Sequence, residues 1–300
     1  MARGDPTPPL PARGEGLSPQ PPLLRGVKKG RLAFCVLRLA IDYRPSTFCT
    51  LPCVSETAAP AQTEPLPSLA LTTVALFAAE GAEARALREA LGLNESLQGP
   101  KPIFRGQVGG HEVLLVETGV GKVAAASAVT YAQARFNPRW SLWAGVAGGL
   151  NPRLHSLDVL VAHDAVQWDV DITAFGRQPG ELATGERFVR ADIDLSTRVY
   201  RAALELGFPV HWGRVASGDR FLAHPADAAR LREVFAADAV EMEGAAALWT
   251  AKDLALPMAL VRTISDGADD DAHESFEMFL EQASERLAQV VRKVLQQAGG

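Results

Sequence analysis

Short apolar and β-branched runs alternate with helical patterns from residue 71 to the end of the chain. Residues 71–79 have the length of a buried strand, and residues 83–91 place their apolar side chains on one face of a helix. Repeated alternation of this kind is typical of an α/β domain, in which helices cover both faces of a sheet. We therefore predict a single domain over residues 69–300, with a mixed, largely parallel β-sheet flanked by helices.

The same pattern places the individual elements. Strands are predicted at residues 71–79, 103–108, 112–117, 141–144, 158–163, 210–216 and 257–265, with a further short strand ending at 240. Helices are predicted at residues 83–91, 122–135, 195–206, 226–235, 243–253 and 276–297. Gly109-Gly110 predicts a two-residue hairpin, and Gly148-Gly149 predicts a turn.

Residues 1–68 differ in composition from the rest of the chain. They hold twelve of the 20 prolines and all three cysteines, Cys35, Cys49 and Cys53. We expect a Pro-rich, disordered extension that lies outside the fold. A signal peptide is the alternative, because a basic group precedes an apolar run at residues 32–37, but Arg38 interrupts that run.

Composition excludes several classes of protein. The chain has 300 residues, 47% hydrophobic content and a net charge of −5, which allows a sizeable core and argues against polyanionic partners. No basic cluster interleaved with aromatic residues indicates nucleic-acid binding, and no apolar run reaches the roughly 18 to 20 residues of a membrane span. Residues 69–300 lack cysteine, which suits the reducing cytoplasm, where we expect the protein to reside.

Several polar residues lie just beyond the ends of predicted strands. These residues are Glu83, Thr118, Glu241, Glu243 and Asp266. In open α/β sheets, ligands collect at the carboxyl ends of the strands. A buried carboxylate is costly unless it is partnered or its pKa is shifted, so acids in such positions indicate a site rather than a core.

Two segments carry a family resemblance. Residues 239–246 read Ala-Val-Glu-Met-Glu-Gly-Ala-Ala, and residues 262–269 read Arg-Thr-Ile-Ser-Asp-Gly-Ala-Asp. In this order and spacing they resemble the superfamily of purine nucleoside phosphorylases and nucleosidases, and most closely the methylthioadenosine/S-adenosylhomocysteine nucleosidases. Further matches at residues 118–123, 144–150, 169–176 and 217–222 extend the resemblance over residues 72–294.

The resemblance implies an enzyme that hydrolyses the N-ribosidic bond of 5′-methylthioadenosine and S-adenosylhomocysteine. Adenine and the 5′-thioribose are released, with no cofactor and no metal. The histidines agree with the absence of a metal, since they show no metal-ligand spacing. The resemblance also implies a homodimer, with residues 169–176 at the interface.

Two carboxyl groups are implied as catalytic. Asp266 would protonate N7 of adenine, with Ser265 orienting it, and its position after an apolar run predicts a raised pKa. Glu83 would activate water. Residues 78–83 read Ala-Ala-Glu-Gly-Ala-Glu, where the family usually has Gly-Ala-Met-Glu-Glu-Glu, so Glu80 is the alternative base. Without a ligand, Asp266 would be a turn residue and Glu83 a helix-start acid.

The remaining implied roles concern binding of the nucleoside. Glu243 would accept hydrogen bonds from the ribose hydroxyls, with Met242 and Glu241 beside it; the alternative is a pair of acids that complement a helix dipole. The glycine loop would border the ribose through Thr118 and Gly121. The base and the 5′ group would meet Phe221, which stacks on adenine, the backbone of Leu222, and Phe276. Both phenylalanines have core packing as their alternative.

Other functions remain open at this point. A phosphorolytic enzyme would need a basic phosphate pocket, for which Arg85, Arg105 and Lys122 are the nearby cations. A futalosine-type purine nucleoside hydrolase and a non-catalytic nucleoside-binding protein are further alternatives. The chain departs from the family at Val146, where a serine is usual, and in the loop after Gly176.

Overall fold

A single mixed β-sheet organises residues 71–297, which is the part of the chain that the computed structural model describes. Its strands are β1 (Thr72–Ala78), β2 (Glu95–Leu97), β3 (Ile103–Val108), β4 (His111–Glu117), β5 (Trp140–Gly149), β6 (Val159–Gln167), β7 (Val189–Arg190), β8 (Val210–Ser217), β9 (Ala239–Glu241) and β10 (Met258–Asp266). The helices are α1 (Gly81–Leu91), α2 (Lys122–Phe136), α3 (Ile193–Glu205), α4 (Pro225–Phe235), α5 (Gly244–Asp253) and α6 (Ala272–Gln297).

Parallel pairings dominate the middle of the sheet. Strand β1 pairs in parallel with β4 and β5, and β10 pairs in parallel with β5. Strands β6, β8 and β9 form a second parallel group, which joins the first through antiparallel pairings of β6 with β10 and of β9 with β5. Following these pairings from β5 through β10, β6, β8 and β9 leads back to β5, so this part of the sheet closes into a ring.

Helices cover the two faces of the sheet. Successive residues of β1 alternate between them: Val74 and Leu76 pack in the cluster with α1, α3 and α6, while Ala75 and Phe77 pack in the cluster with α2 and α5. Phe77 also stacks on the fully buried Trp143 with ring centroids 5.5 Å apart. Burial on both faces explains why the strands read as continuous apolar runs rather than as alternating ones.

The predicted fold class is confirmed over residues 71–297, which belong to one compact unit. The Gly109-Gly110 hairpin is present, with φ of 56° and 80° at its two glycines. The six predicted helices are all found, and their ends differ from the predicted ones by a few residues. Most of these differences lie in a first or last turn, where capping decides the boundary.

Some predicted boundaries were wrong. Gly148 and Gly149 do not form a turn but end β5, where they pair with Val240 and Ala239. Glycine is needed at 148 for close approach, because a Cβ there would lie 2.7 Å from Asp266 Oδ1. Strand β6 continues to Gln167 rather than ending at residue 163, and α6 starts at Ala272 rather than at 276. The short strands β2 and β7 were missed because too few residues carry their pattern.

The predicted extension at residues 1–68, its boundary with the domain, and the alternative of a signal peptide all lie outside the described residues. Among the helices of residues 71–297, none combines the length and the apolar character that a membrane span requires.

Replacing Gly109 by alanine should destabilise the domain more than the same change at Gly92. Both glycines have positive φ, 56° and 65°, so alanine pays a conformational cost at each. At residue 109 a Cβ would also lie 2.1 Å from the carbonyl oxygen of Leu295, whereas at residue 92 it would meet nothing within 4 Å. We expect a loss of about 1 kcal/mol for Gly92→Ala and at least about 2 kcal/mol for Gly109→Ala in urea unfolding. Equal losses of stability in the two variants would show that the last turn of α6 shifts to accommodate the added Cβ.

Candidate active site

A pocket enclosing about 590 Å³ of space, part of it open to solvent, lies where several strands reach their carboxyl ends. Nine of the eleven predicted site residues line it: Glu83, Phe221, Leu222, Glu241, Met242, Glu243, Ser265, Asp266 and Phe276. The convergence expected from strand ends is therefore observed.

A buried arginine, Arg262 on β10, stands among three of the carboxylates. Its side chain is 1% exposed; Nη2 forms an ion pair with Glu241 and lies 3.9 Å from Glu243 Oε2. A Cβ on Gly145 would be 2.3 Å from Arg262 Nη1 and 2.8 Å from Glu83 Oε1, so the guanidinium also approaches Glu83. Arg262 was not predicted as a site residue, although a charged side chain within an apolar strand indicates a buried partner.

Glu83 is held by three backbone donors at the start of α1. Its Oε2 accepts from the N–H groups of Ala79 and Glu80, each at 2.9 Å, and its Oε1 accepts from Val146 N–H at 2.8 Å. Burial raises the pKa of Glu83, while Arg262 and these N–H donors act in the opposite direction. Glu83 is thus both a capping-box residue and a buried acid of the pocket, and Glu80, the alternative base, is the N-cap residue and also lines it.

Glu241 is saturated with partners. Besides the ion pair with Arg262, it accepts from the Ser217 hydroxyl and from Gly244 N–H at 2.8 Å. Ser217 Oγ in turn accepts from Ala245 N–H at 2.7 Å. Glu241 therefore fixes the β9–α5 turn and the position of Arg262.

Glu243 has one oxygen held and the other less engaged. Its Oε1 accepts from Gly121 N–H at 2.9 Å, whereas Oε2 lies beyond hydrogen-bond distance of Arg262. Burial and the neighbouring Glu241 raise the pKa of Glu243 to about 8, and Arg262 opposes them. The less engaged oxygen of Glu243 can form hydrogen bonds with the hydroxyl groups of a ligand. Met242 adds an apolar surface beside it.

Asp266 ends β10 at an irregularity in its pairing with β5. Ser265 Oγ donates to its Oδ2 at 2.8 Å, and Ala268 N–H donates to its Oδ1 at 2.9 Å. Burial raises the pKa of Asp266 despite these two bonds, and Asp269 raises it further. Asp266 therefore makes the predicted turn contact and also lines the pocket, while its role as an acid stays a prediction.

Aromatic rings form the opposite wall. Phe221 is 44% exposed and meets Phe276 edge to face, with ring centroids 5.9 Å apart. Leu222 beside it is buried. A half-exposed phenylalanine in a pocket has a free face for a ligand, which core packing would not leave.

Two predicted contacts of the glycine loop do not line the pocket. Thr118 is fully buried, and its hydroxyl donates to the Gly119 carbonyl at 2.8 Å rather than pointing to a ligand. Gly121 contributes indirectly, through its N–H bond to Glu243. Val146, which stands where the resembled family has a serine, lines the pocket with its side chain.

Metal-ligand chemistry has no candidate in the described part of the chain. No group of three or more His, Cys, Asp or Glu side chains within residues 71–297 is arranged to hold a metal ion.

The fold and the pocket together define an α/β domain that binds a small polar ligand between buried acids and an aromatic wall. Comparison with known families specifies it further. Residues 73–296 match the model described as the phosphorylase superfamily. The chain belongs to this superfamily.

Individual relatives carry more specific names. The chain is 37% identical over 249 residues to the 5′-methylthioadenosine/S-adenosylhomocysteine nucleosidase of Treponema pallidum, a match covering 75% of this chain and 93% of the relative. It is 35% identical over 184 residues to the aminodeoxyfutalosine nucleosidase of Campylobacter jejuni, covering 61% of this chain and 80% of the relative.

Solved structures carry one of these names and one related to the other. A 5′-methylthioadenosine/S-adenosylhomocysteine nucleosidase from Neisseria meningitidis in complex with methylthio-immucillin-A has a TM-score of 0.73 and 33% identity, covering 76% of this chain and 100% of that one. The futalosine hydrolase of Helicobacter pylori has a TM-score of 0.74 and 29% identity, covering 77% and 100%.

The raised pKa of Glu243 predicts that the protein loses stability as pH rises. A carboxyl group whose pKa is higher in the folded state binds its proton more tightly there, so stability falls between the unfolded value, near 4.5, and about 8. We expect the free energy of unfolding to decline between pH 5 and 8 by at least about 1 kcal/mol. The decline should be smaller in Glu243→Gln and unchanged in Glu233→Gln on the exposed side of α4. A wild-type free energy of unfolding that does not change between pH 5 and 8 would contradict the raised pKa of Glu243.

Proposed function

We propose that the protein is an N-glycosidase that hydrolyses the N-ribosidic bond of 5′-methylthioadenosine and S-adenosylhomocysteine, releasing adenine and the 5′-thioribose. The observation that carries the proposal is the meeting of Glu83, Glu243 and Asp266 in one pocket with an aromatic wall. Hydrolysis of such a bond needs an acid for the departing base, a base for water and an anchor for the sugar. The names of the relatives support the same reaction.

Asp266 is the proposed general acid. Burial and Asp269 favour its protonated form, so a proton is held for N7 of adenine as the bond from C1′ to N9 breaks. Ser265, which donates to Oδ2, fixes the rotation of the carboxyl group. A carboxyl group at this position suits a 6-aminopurine, because one oxygen can carry the proton for N7 while the other accepts from the 6-amino group.

Glu83 is the proposed general base. Burial raises its pKa, as it does that of Asp266, but the positive charge of Arg262 and three backbone N–H donors oppose this rise and favour the ionised form of Glu83. Two acids with differently charged neighbours can therefore hold opposite protonation states at one pH. The Glu83 carboxylate takes a proton from water while the water oxygen bonds to C1′.

The sugar and the base are held by separate parts of the pocket. Glu243 binds the 2′ and 3′ hydroxyls, chiefly through Oε2, since Oε1 already accepts from Gly121 N–H. Met242 lies against the sugar. Adenine stacks on Phe221, a contact typically contributing about 1–3 kcal/mol per base, and Phe276 meets the 5′-thioalkyl group.

Charge favours hydrolysis over phosphorolysis. Of the described residues that line the pocket, Arg220 alone is an arginine or lysine, and it pairs with Asp227 at 2.5 Å. Lys122 is paired with Asp169, and Arg105 with Glu95. Arg85 does not line the pocket either. A phosphate dianion there would therefore face three buried glutamates with no cation but the paired Arg220 among the lining residues, whereas neutral water meets no such repulsion.

The first test measures adenine release from 5′-methylthioadenosine with and without phosphate. We expect release that does not depend on phosphate, together with free methylthioribose. Release that requires phosphate and yields a sugar 1-phosphate would reject hydrolysis in favour of the phosphorylase alternative. Binding without release would favour the non-catalytic alternative.

Two isosteric variants test the proposed acid and base. Asp266→Asn and Glu83→Gln should each lower kcat by about 10²- to 10⁴-fold, because each removes one proton transfer while keeping the shape of the side chain. Binding of a substrate analogue should change much less. Glu112→Gln, on β4 and outside the pocket, is the matched control and should keep wild-type turnover. Wild-type rates in both site variants would refute the assignments.

Hydrolysis of an aminodeoxyfutalosine-type nucleoside is the second candidate. It keeps the adenine and the ribose contacts and changes only the group at 5′. Phe276, which lines the pocket and is only partly buried, offers apolar surface to a larger group at 5′, and one relative carries this activity in its name. Comparing kcat/KM for the two nucleosides decides between them.

We further propose that the protein acts as a cytoplasmic homodimer. Val120, Val123 and Phe175 are exposed by 46%, 81% and 84% near the glycine loop and the segment after β6, which together offer an apolar surface for a second copy. The cysteine-free sequence of residues 69–300 supports a reducing compartment. Sedimentation equilibrium tests the dimer, which Val123→Lys should weaken.

A further inference from the structure

Three loops meet beside the pocket through one small hydrogen-bonded cluster, formed by Lys122, Asp169 and Asp219. The ammonium group of Lys122 bonds to Asp169 Oδ1 at 2.7 Å, and Asp169 Oδ2 accepts from Asp219 N–H at 3.0 Å. Asp219 Oδ1 closes the triangle by accepting from Lys122 N–H at 2.8 Å. The side chains of Lys122 and Asp169 are 18% and 24% exposed, so both are partly shielded from solvent although the cluster lies at the surface.

Asp219 supplies a cap that α2 lacks in its own sequence. The helix begins at Lys122 after Gly121, which has no side chain with which to accept the first N–H groups. The carboxylate of Asp219, from the loop after β8, takes this place and also complements the positive end of the helix dipole. Gly121 leaves room for it, since a Cβ there would lie 2.9 Å from Asp219 Oδ1.

Two residues of the cluster, Lys122 and Asp219, are adjacent in the chain to residues that form or support the pocket. Gly121, next to Lys122, donates its N–H to Glu243 Oε1. Asp219 is followed directly by Arg220, Phe221 and Leu222, which line the pocket. A shift of the cluster would therefore move the donor to Glu243 and the aromatic wall together.

We infer that Asp219 and Asp169 are positioning residues, which set the glycine loop and the Phe221 loop in register so that Glu243 and Phe221 bind the ribose and the base of one nucleoside simultaneously. This inference rests on the proposed function for the identity of the ligand. Neither aspartate lies among the acids that transfer protons, so the effect of losing them falls on binding. It follows that KM should change more than kcat.

The test compares Asp219→Ala, Asp219→Asn and Asp169→Ala with the control Asp192→Ala. Asp192 caps α3 in the same way, with Oδ1 accepting from Leu195 N–H at 2.9 Å, and it does not line the pocket. The KM and kcat for 5′-methylthioadenosine are measured for each variant, with the melting temperature. The Kd for a C-nucleoside analogue of adenosine, which has a carbon–carbon bond in place of the N-ribosidic bond, is measured by calorimetry.

We expect Asp219→Ala to raise KM and the analogue Kd about tenfold, with kcat changed by less than about threefold. Asp219→Asn keeps an oxygen that accepts from Lys122 N–H and should restore both values to near wild type. Asp169→Ala leaves the cap in place and should raise KM by about threefold, which provides a second reading if Asp219→Ala fails to fold. Asp192→Ala should lower the melting temperature without changing KM.

Three results would overturn the inference: unchanged KM and Kd in Asp219→Ala and Asp169→Ala, equal impairment of Asp219→Asn and Asp219→Ala, or the same rise in Asp192→Ala. Failure of the proposed function is a separate outcome. Wild-type protein that binds the analogue without hydrolysing the nucleoside would refute hydrolysis, and the Kd series would still decide the positioning roles. Wild-type protein that does neither would overturn both.

Discussion

The buried guanidinium of Arg262 is the interaction on which the rest of the pocket depends. An arginine that is 1% exposed must be neutralised by acids that are themselves desolvated. Glu241, held by Ser217 and by the first N–H groups of α5, provides the direct partner. Gly145 on the neighbouring strand β5 leaves the space that the guanidinium fills.

One cation among three glutamates leaves an excess of negative charge, and this excess has chemical consequences. Glu241 forms the ion pair with Arg262, whereas Glu83 and Glu243 feel the same positive charge from a greater distance. Burial raises the pKa of both. Asp266 lies on the same strand as Arg262, but the charged neighbour that affects its pKa is Asp269, which raises it. Arg262 therefore opposes the protonation of Glu83 and Glu243, and its ion pair with Glu241 joins the middle of β10 to the end of β9.

The sequence was sufficient for the fold class and for most of the candidate site, for a physical reason. Strands buried on both faces read as apolar runs, so an acid at the end of such a run, as with Glu241 or Asp266, is conspicuous in the sequence. Arg262 was not predicted as a site residue because its partners are distant in the chain and only the folded sheet brings them together. Gly148-Gly149 was misread as a turn since a glycine required for close approach to Asp266 and a glycine required for a turn look alike in sequence. Thr118 was assigned to the ligand because the loop, but not the direction of its hydroxyl, can be read from the residues.

The two halves of the pocket differ in how they are held, and this difference bears on specificity. The acids stand on strand ends and helix starts, with backbone N–H donors fixing their oxygens, so their geometry is set by the sheet itself. The aromatic wall stands on the loop after β8, where Phe221 is half exposed and Arg220 is paired with Asp227, and on the first turns of α6, which carry Phe276. Loops can change with little cost to the core, whereas a strand end cannot. Under the proposed function, the sheet therefore positions the acids that cleave the bond to the base, while the choice among groups at 5′ falls to Phe276 and to the loop that packs against it.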